Sequence, residues 1–359
     1  MSKKKILIID DSALMRRVLC DIIEEDERFE VADKAINGLE ALELIIHNTY
    51  DAVVLDVNMP KMTGIELLRE LQKRQISVRV MMASTDTMEG AKVTLDALEL
   101  GAIDFIHKPG KSMDAKEDKF KVDFMRILNA VVSSNSPVFT KQISREKQLE
   151  STHRFTELIQ KHVLTTTGNK IVAIASSTGG PKALQSVVPR LPANLNAPVL
   201  IVQHMPAGFT LSLAERLNSL SDLVVKEAAE GDILKKGHVY LAKGGKHMNV
   251  AQRAGQDYIH YSDEPSREGV KPCANYMYES LMGCTYDVVV CVVLTGMGAD
   301  GTKGIANLKA ARKVHVIAQE QSTCAVYGMP KSIVTTGLAN QVVGLNQVAE
   351  EIIMNVGVR

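Results

Sequence analysis

The sequence of 359 residues predicts two α/β domains, each a mainly parallel sheet flanked by helices. Two observations carry that prediction. Short apolar runs alternate with amphipathic stretches in the first third and again in the last half of the chain, the pattern of βα units feeding a parallel sheet. Between them the pattern lapses: Ser-Ser-Asn-Ser-Pro opens a polar, charged stretch from Lys141 to Lys161, and Thr-Thr-Thr-Gly-Asn closes it. A chain this long exceeds one ordinary core. The domains are therefore placed at residues 1–132 and 169–359, with 133–168 as an interdomain linker, partly helical.

In the first domain the strand candidates are Ile6 to Ile9, Phe29 to Ala32, Ala52 to Leu55, Val78 to Ala83 and Asp104 to Ile106. Leu14, Val18 and Ile22 recur behind a Ser12 cap and mark one helix face. Leu39, Leu42 and Ile46 mark a second, and Ile65, Leu68 and Leu71 a third. A last helix runs from about Glu117 to Val132, with Phe120, Phe124, Leu128 and Val131 on one side. In the second domain the strand candidates are Ile171 to Ala175, Val199 to Val202, Val239 to Ala242, Val288 to Leu294 and Val314 to Ala318, apolar enough for burial on both faces.

Lys plus Arg and Asp plus Glu balance at 42 each, so no net field draws the chain to nucleic acid or anionic lipid. The five cysteines lack CxxC spacing and sit in apolar runs, which reads as reduced core thiols. The start MSKKKILIIDDS reaches two aspartates after four apolar residues, too few for a signal-peptide core, and no apolar run has membrane-spanning length. A cytoplasmic protein with no membrane insertion is expected.

Asp10 and Asp11 follow the first strand and Asp56 ends the third, and in a parallel sheet these carboxyl ends converge on one edge. Crowded carboxylates are relieved by a hard divalent cation, and Mg²⁺ suits a few carboxylates plus phosphate oxygens. Lys108 after the last strand offsets charge on a phosphoryl oxygen, and Ser84 after the fourth supplies a hydroxyl to the same edge. Any one of these aspartates is as readily a helix cap; the five residues together point to a site. IDDS, LDVNMPKMTG, MAST and DFIHKP resemble the response-regulator receiver domain over about residues 1–130. The resemblance implies that Asp56 accepts a phosphoryl group from a histidine kinase and that Asp10, Asp11, Asp56 and the Asn58 carbonyl hold Mg²⁺. It also implies Ser84 and Lys108 as switch hydroxyl and lysine, and Phe105 as the aromatic switch residue.

In the second domain the strand at Ile171 to Ala175 leads into Ser-Ser-Thr-Gly-Gly-Pro, a small-residue turn opening a helix with Pro181 near its first position. A hydroxyl there meets backbone N–H groups and the positive end of the helix dipole, donors suited to an oxyanion. The same turn could cradle a phosphate, though GxGxxG and the P-loop lysine are absent. Serine needs a base and an orienting acid. His204 follows the strand ending at Gln203, and Asp300 lies in the Gly-rich loop after the strand ending at Leu294. Alone, His204 reads as a structural residue and Asp300 as a turn former; with the serine they supply nucleophile, base and orienter. The order Ser, His, Asp and the absence of GxSxG separate this chain from true α/β-hydrolases.

SSTGG, QHMP, FTLSLAERL, YLAKGGKH, LTGMGADG and STCAVYGMP resemble the catalytic domain of the chemotaxis response-regulator protein-glutamate methylesterase/glutamine deamidase (CheB) family, over about residues 170–350. The resemblance implies a doubly wound methylesterase domain with nucleophile Ser177, base His204 and acid Asp300. Thr178 and Met297 match positions of the serine-side loop and oxyanion site, and His247 is treated as a substrate-loop residue only. Two departures stand out. Ser176 replaces a small residue before the nucleophile as a nearby second hydroxyl, and Pro272-Cys273-Ala274-Asn275 stands where the family commonly reads Pro-Ser-Val-Asp. The resemblance implies phosphorylation-activated demethylation of glutamate methyl esters, and deamidation of glutamines, on chemoreceptor cytoplasmic helices. It implies Mg²⁺ in the receiver and no cofactor for the esterase. The receiver is expected to cover the serine cleft until phosphorylated, so that removing residues 1 to about 165 raises basal activity. A non-catalytic, phosphorylation-switched regulator is the competing reading; balanced charge and no helix-turn-helix pattern argue against nucleic acid.

Overall fold

A computed structural model of the protein describes residues 2–84, 88–109, 117–135 and 168–359. Residues 136–167 of the expected linker lie outside these. The chain divides into two compact units, Met1–Lys141 and Gln142–Arg359. No helix among the described residues is long and apolar enough to cross a membrane.

The first unit is a parallel sheet in the order β2-β1-β3-β4-β5, with β1 at Lys4–Ile9, β2 at Phe29–Ala35, β3 at Ala52–Asp56, β4 at Val80–Ser84 and β5 at Asp104–His107. Helices α1 (Ala13–Glu24), α2 (Gly38–His47), α3 (Gly64–Lys73), α4 (Met88–Glu99) and α5 (Glu117–Val132) connect or follow the strands. Local chemistry fixes the helix starts: Ser12 accepts from the Met15 amide, Asn37 from Leu39 and Glu40, and Thr63 closes a capping box with Glu66. The faces expected for the first two helices are buried only in part. Ile22 and Leu42 are buried and Val18 packs against the core, but Leu14, Leu39 and Ile46 are exposed, and Leu19, Cys20 and Ile23 in α1 and Ala41 and Ile45 in α2 join the buried face. Both helices carry apolar residues on more than one face, so spacing alone misplaced the edge of each stripe. For α5 the expected face is buried, with Phe120, Phe124, Leu128 and Val131 packed on Ile6, Ile8 and Val54.

The second unit is a seven-stranded parallel sheet in the order β14-β13-β12-β6-β7-β9-β8. Its strands are β6 (Lys170–Ser176), β7 (Val199–Gln203), β8 (Val224–Glu227), β9 (His238–Leu241), β12 (Val288–Val293), β13 (Lys313–Gln319) and β14 (Gln341–Val343). An antiparallel hairpin, β10 (His247–Arg253) and β11 (Gln256–Ser262), stands apart from it. The central β6 and β7 are buried throughout, as expected of strands covered on both faces. Sequence reading missed β8, β14 and the hairpin, which are short edge strands or half-exposed and so lack continuous apolar runs. From β6 the sheet grows one way through β7 and the other through β12. This topological switch point is where open α/β sheets hold ligands, at the strands' carboxyl ends.

Candidate active site

Register brings the first unit's acids together. Ile9 pairs with Leu55, so the next residues, Asp10 and Asp56, stand side by side, both buried. With Asp11 they offer carboxylate oxygens all within 4.8 Å of one another. Lys108 Nζ lies 2.7 Å from Asp10 Oδ2 and 2.6 Å from Asp56 Oδ1. Burial raises the Asp56 carboxyl and the Asp10 charge adds to that; Lys108 and the Val57 N–H oppose it, and the net shift is upward. Asn58 is exposed on the loop after β3, and its carbonyl accepts no hydrogen bond among the described residues. Ser84 ends β4, but its Oγ is engaged with α4, 2.8 Å from Thr94 Oγ1 and 3.5 Å from the Gly90 carbonyl. Phe105 is buried in β5. Arg16, unremarked in the sequence, clamps the Asp10 carbonyl with Nη1 at 2.6 Å.

In the second unit Ser176 pairs in register with Gln203, so Ser177 and His204 leave adjacent strands side by side. Ser177 is buried, and its Oγ has no hydrogen-bond partner among the described residues. His204 Nε2 meets Asp300 Oδ2 at 2.8 Å. An ionised carboxylate only accepts, so the proton sits on Nε2 and Nδ1 is the bare, basic nitrogen. Asp300 is 3% exposed. Its Oδ2 also accepts from the Ala274 amide at 2.6 Å, and its Oδ1 accepts from Cys273 Sγ at 3.0 Å, Asn275 N–H at 3.0 Å and Gly301 N–H at 2.9 Å. Burial pushes this carboxyl up, but the hydrogen bonds from His204, Cys273 and Ala274 outweigh it and hold it below the usual carboxylate range.

The serine turn is built from close backbone contacts. A Cβ on Gly296 would lie 2.8 Å from Ser177 Cβ and 2.4 Å from Met329 Sδ, so only glycine fits there. Gly179, at φ 76°, opens the helix Gly180–Val187 (α6), with Pro181 in its first turn. Few amides of this turn remain for a ligand: Ser177 N–H donates to the Thr295 carbonyl at 3.0 Å, Gly180 N–H to the Ser177 carbonyl at 2.7 Å, and Pro181 has none. The amides of Gly179 and Met297 make no hydrogen bond among the described residues. Thr178 is buried, its carbonyl accepting from Thr295 Oγ1 at 2.9 Å.

Ser176, expected as a second hydroxyl near the nucleophile, is fully buried and donates to Gln203 Oε1 at 2.7 Å. Gln203 went unassigned in the sequence although it stands in the quoted QHMP. Its Nε2 donates to the carbonyls of Ser177 at 3.0 Å and His204 at 3.2 Å, tying the two loops together. The detectable signal was a polar residue at a buried strand end, beside His204. The substrate-loop reading of His247 is corrected: it opens β10 and is fully buried, because the hairpin folds it under the turn at Cys273.

Comparison with known proteins follows this division. The CheB methylesterase family model matches residues 172–352 and the response regulator receiver domain matches 6–117. A protein-glutamate methylesterase/protein-glutamine glutaminase from Bacillus subtilis is 40% identical over 354 residues, 97% of each chain. The chain belongs to the CheB methylesterase family. Another member, protein-glutamate methylesterase/protein-glutamine glutaminase 1 of Syntrophomonas wolfei, is 39% identical over 357 residues, 98% of this chain and 99% of its own. The crystal structure of the Thermotoga maritima CheB methylesterase catalytic domain superposes with a TM-score of 0.51 at 40% identity, covering 53% of this chain and all of that one. All five cysteines are buried, as their apolar surroundings suggested.

Proposed function

We propose that this protein is a phosphorylation-activated serine esterase that demethylates glutamate methyl esters, and deamidates glutamines, on the cytoplasmic helices of chemoreceptors. The observation that carries the reading is one sheet edge holding a buried serine, a histidine with a bare Nδ1, and an acid committed to that histidine's other nitrogen. His204 Nδ1 takes the Ser177 proton as Oγ attacks the ester carbonyl, and Asp300 stabilises the imidazolium. The Met297 amide, beside Gly296 and the serine, is the donor assigned to the oxyanion, and Thr178 follows the nucleophile in the same turn. The imidazolium returns its proton to the leaving oxygen, methanol departs, and water hydrolyses the acyl-enzyme by the same proton path; for glutamine the leaving group is ammonia.

In the receiver, Asp56 is the proposed phosphoryl acceptor from a chemotaxis histidine kinase. Hard oxygen donors this close fit Mg²⁺, which Asp10, Asp11 and Asp56 with the Asn58 carbonyl would hold, neutralising charge on the phosphoryl oxygens. Lys108 pairs with Asp10 and Asp56, and Ser84 and Phe105 are the proposed switch residues. Release of methanol from methylated receptor membranes tests the reading. Wild type releases it and Ser177→Ala does not; equal release by the two proteins would remove Ser177 from the mechanism.

A further inference from the structure

His247 lies beneath the turn that holds Asp300. Its Nδ1 accepts the Cys273 amide at 3.2 Å, so the neutral ring carries its proton on Nε2. That Nε2–H faces the Pro265 carbonyl without reaching full hydrogen-bond geometry. The ring packs against Tyr276 with centroids 4.7 Å apart. From the residue His247 holds, three consecutive residues turn their donors on Asp300: the Cys273 thiol, the Ala274 amide and the Asn275 amide.

We infer that His247 is a positioning residue for Asp300, acting through the amide and the thiol of Cys273. The inference deepens the proposed function, since it rests on Asp300 orienting His204. An apolar side chain at 247 would avoid a poorly paired Nε2, but it would leave the Cys273 N–H unpaired in a buried turn, and that N–H fixes the peptide carrying the thiol. Burial keeps the imidazole below its ordinary value and neighbouring Lys271 adds to this, against opposing effects of the Pro265 carbonyl, Glu264 and Asp300. The ring therefore stays the neutral acceptor that the Cys273 amide needs. Burial first, then the Asp300 charge, push the Cys273 thiol far up, so it remains protonated and donates. A thiol is a weaker donor than a hydroxyl, which leaves more of the alignment to the two amides and hence to their anchor.

The test uses the full chain with His247→Leu, His247→Asn and Cys273→Ala. Methanol release gives kcat, and the NMR titration of the His204 imidazole reports on Asp300 whether or not turnover occurs. His247→Leu is expected to lower kcat about tenfold, because the unanchored turn gives up roughly one hydrogen bond to the Asp300 carboxylate. His247→Asn, whose Oδ1 reaches near the Nδ1 position, recovers to within about threefold by restoring the acceptor. Cys273→Ala leaves Asp300 one donor short, so the carboxylate holds the imidazolium more tightly and the His204 midpoint rises by roughly half a unit. An unmoved His204 midpoint in Cys273→Ala, together with no recovery in His247→Asn, overturns the inference and leaves His247 a packing residue. If the wild type releases no methanol, the proposed function fails, and the His204 midpoints still decide the positioning role.

Discussion

Replacing Asp300 by Asn tests the acid where its surroundings are most demanding. The carboxylate accepts from His204 Nε2 and Ala274 N–H on Oδ2, and from Cys273 Sγ, Asn275 N–H and Gly301 N–H on Oδ1. An amide keeps one oxygen and gains a donor. With the NH₂ on the Oδ1 side, three donors oppose it. On the Oδ2 side it opposes the Ala274 N–H alone, and His204 keeps its contact only by moving its proton from Nε2 to Nδ1. The second arrangement costs less and leaves one buried amide unpaired, about 1–3 kcal/mol, which lowers the melting temperature of a unit this size by roughly 2–12 °C. A proton on Nδ1 prevents that nitrogen from accepting the serine's, so kcat is expected to fall about ten-thousand-fold. Because the folded Asp300 carboxyl lies below its ordinary value, its stabilisation is present above the unfolded pKa and is lost as pH falls through the folded one. The stability gap between wild type and variant therefore closes toward acid. Steady-state methanol release and thermal unfolding across pH read both effects. A kcat within tenfold of wild type would refute the tautomer argument.

Other perturbations separate supporting from reacting groups. Ser176→Ala removes one buried hydrogen bond to Gln203, costing about 1 kcal/mol while kcat stays within about threefold; a collapse of activity would make Ser176 the nucleophile. Gln203→Leu unties the Ser177 and His204 loops, with an expected loss of about 2–3 kcal/mol in thermal unfolding and a lower kcat. Asp56 has its carboxyl raised chiefly by burial, so its contribution to receiver stability is fully present below the unfolded pKa and is lost as pH rises through the folded one. Asp56→Asn is therefore expected to stabilise the receiver at pH 7, with the advantage fading toward acid in pH-dependent melting. Mg²⁺ is expected to raise the melting temperature of the wild-type receiver less once Asp11→Asn removes one of the clustered carboxylates; equal responses would place the ion elsewhere.

The sheets were legible because buried parallel strands are continuous apolar runs and their carboxyl ends carry the unusual polar residues. Asp10, Asp56, Ser177, His204 and Lys108 all lie at or just after such ends, where register sets them side by side. What escaped depended on contacts between distant segments. The turn at Cys273 serves Asp300 across 27 residues, and Gln203 reaches back to Ser176 across the same separation. Ser84 was placed correctly at the strand end, but its engagement with Thr94 depends on how α4 packs. In α1 and α2 the apolar residues do not fall on one stripe, so only packing selects Leu19, Ile23 and Ile45 over Leu14 and Leu39.

The most direct measurement is methanol release from methylated receptor membranes, with and without a small-molecule phosphodonor, for wild type and Asp56→Ala. A rate that rises with phosphodonor in wild type and stays flat in Asp56→Ala is the predicted result. Release that ignores the phosphodonor in both proteins would contradict control of the esterase through Asp56.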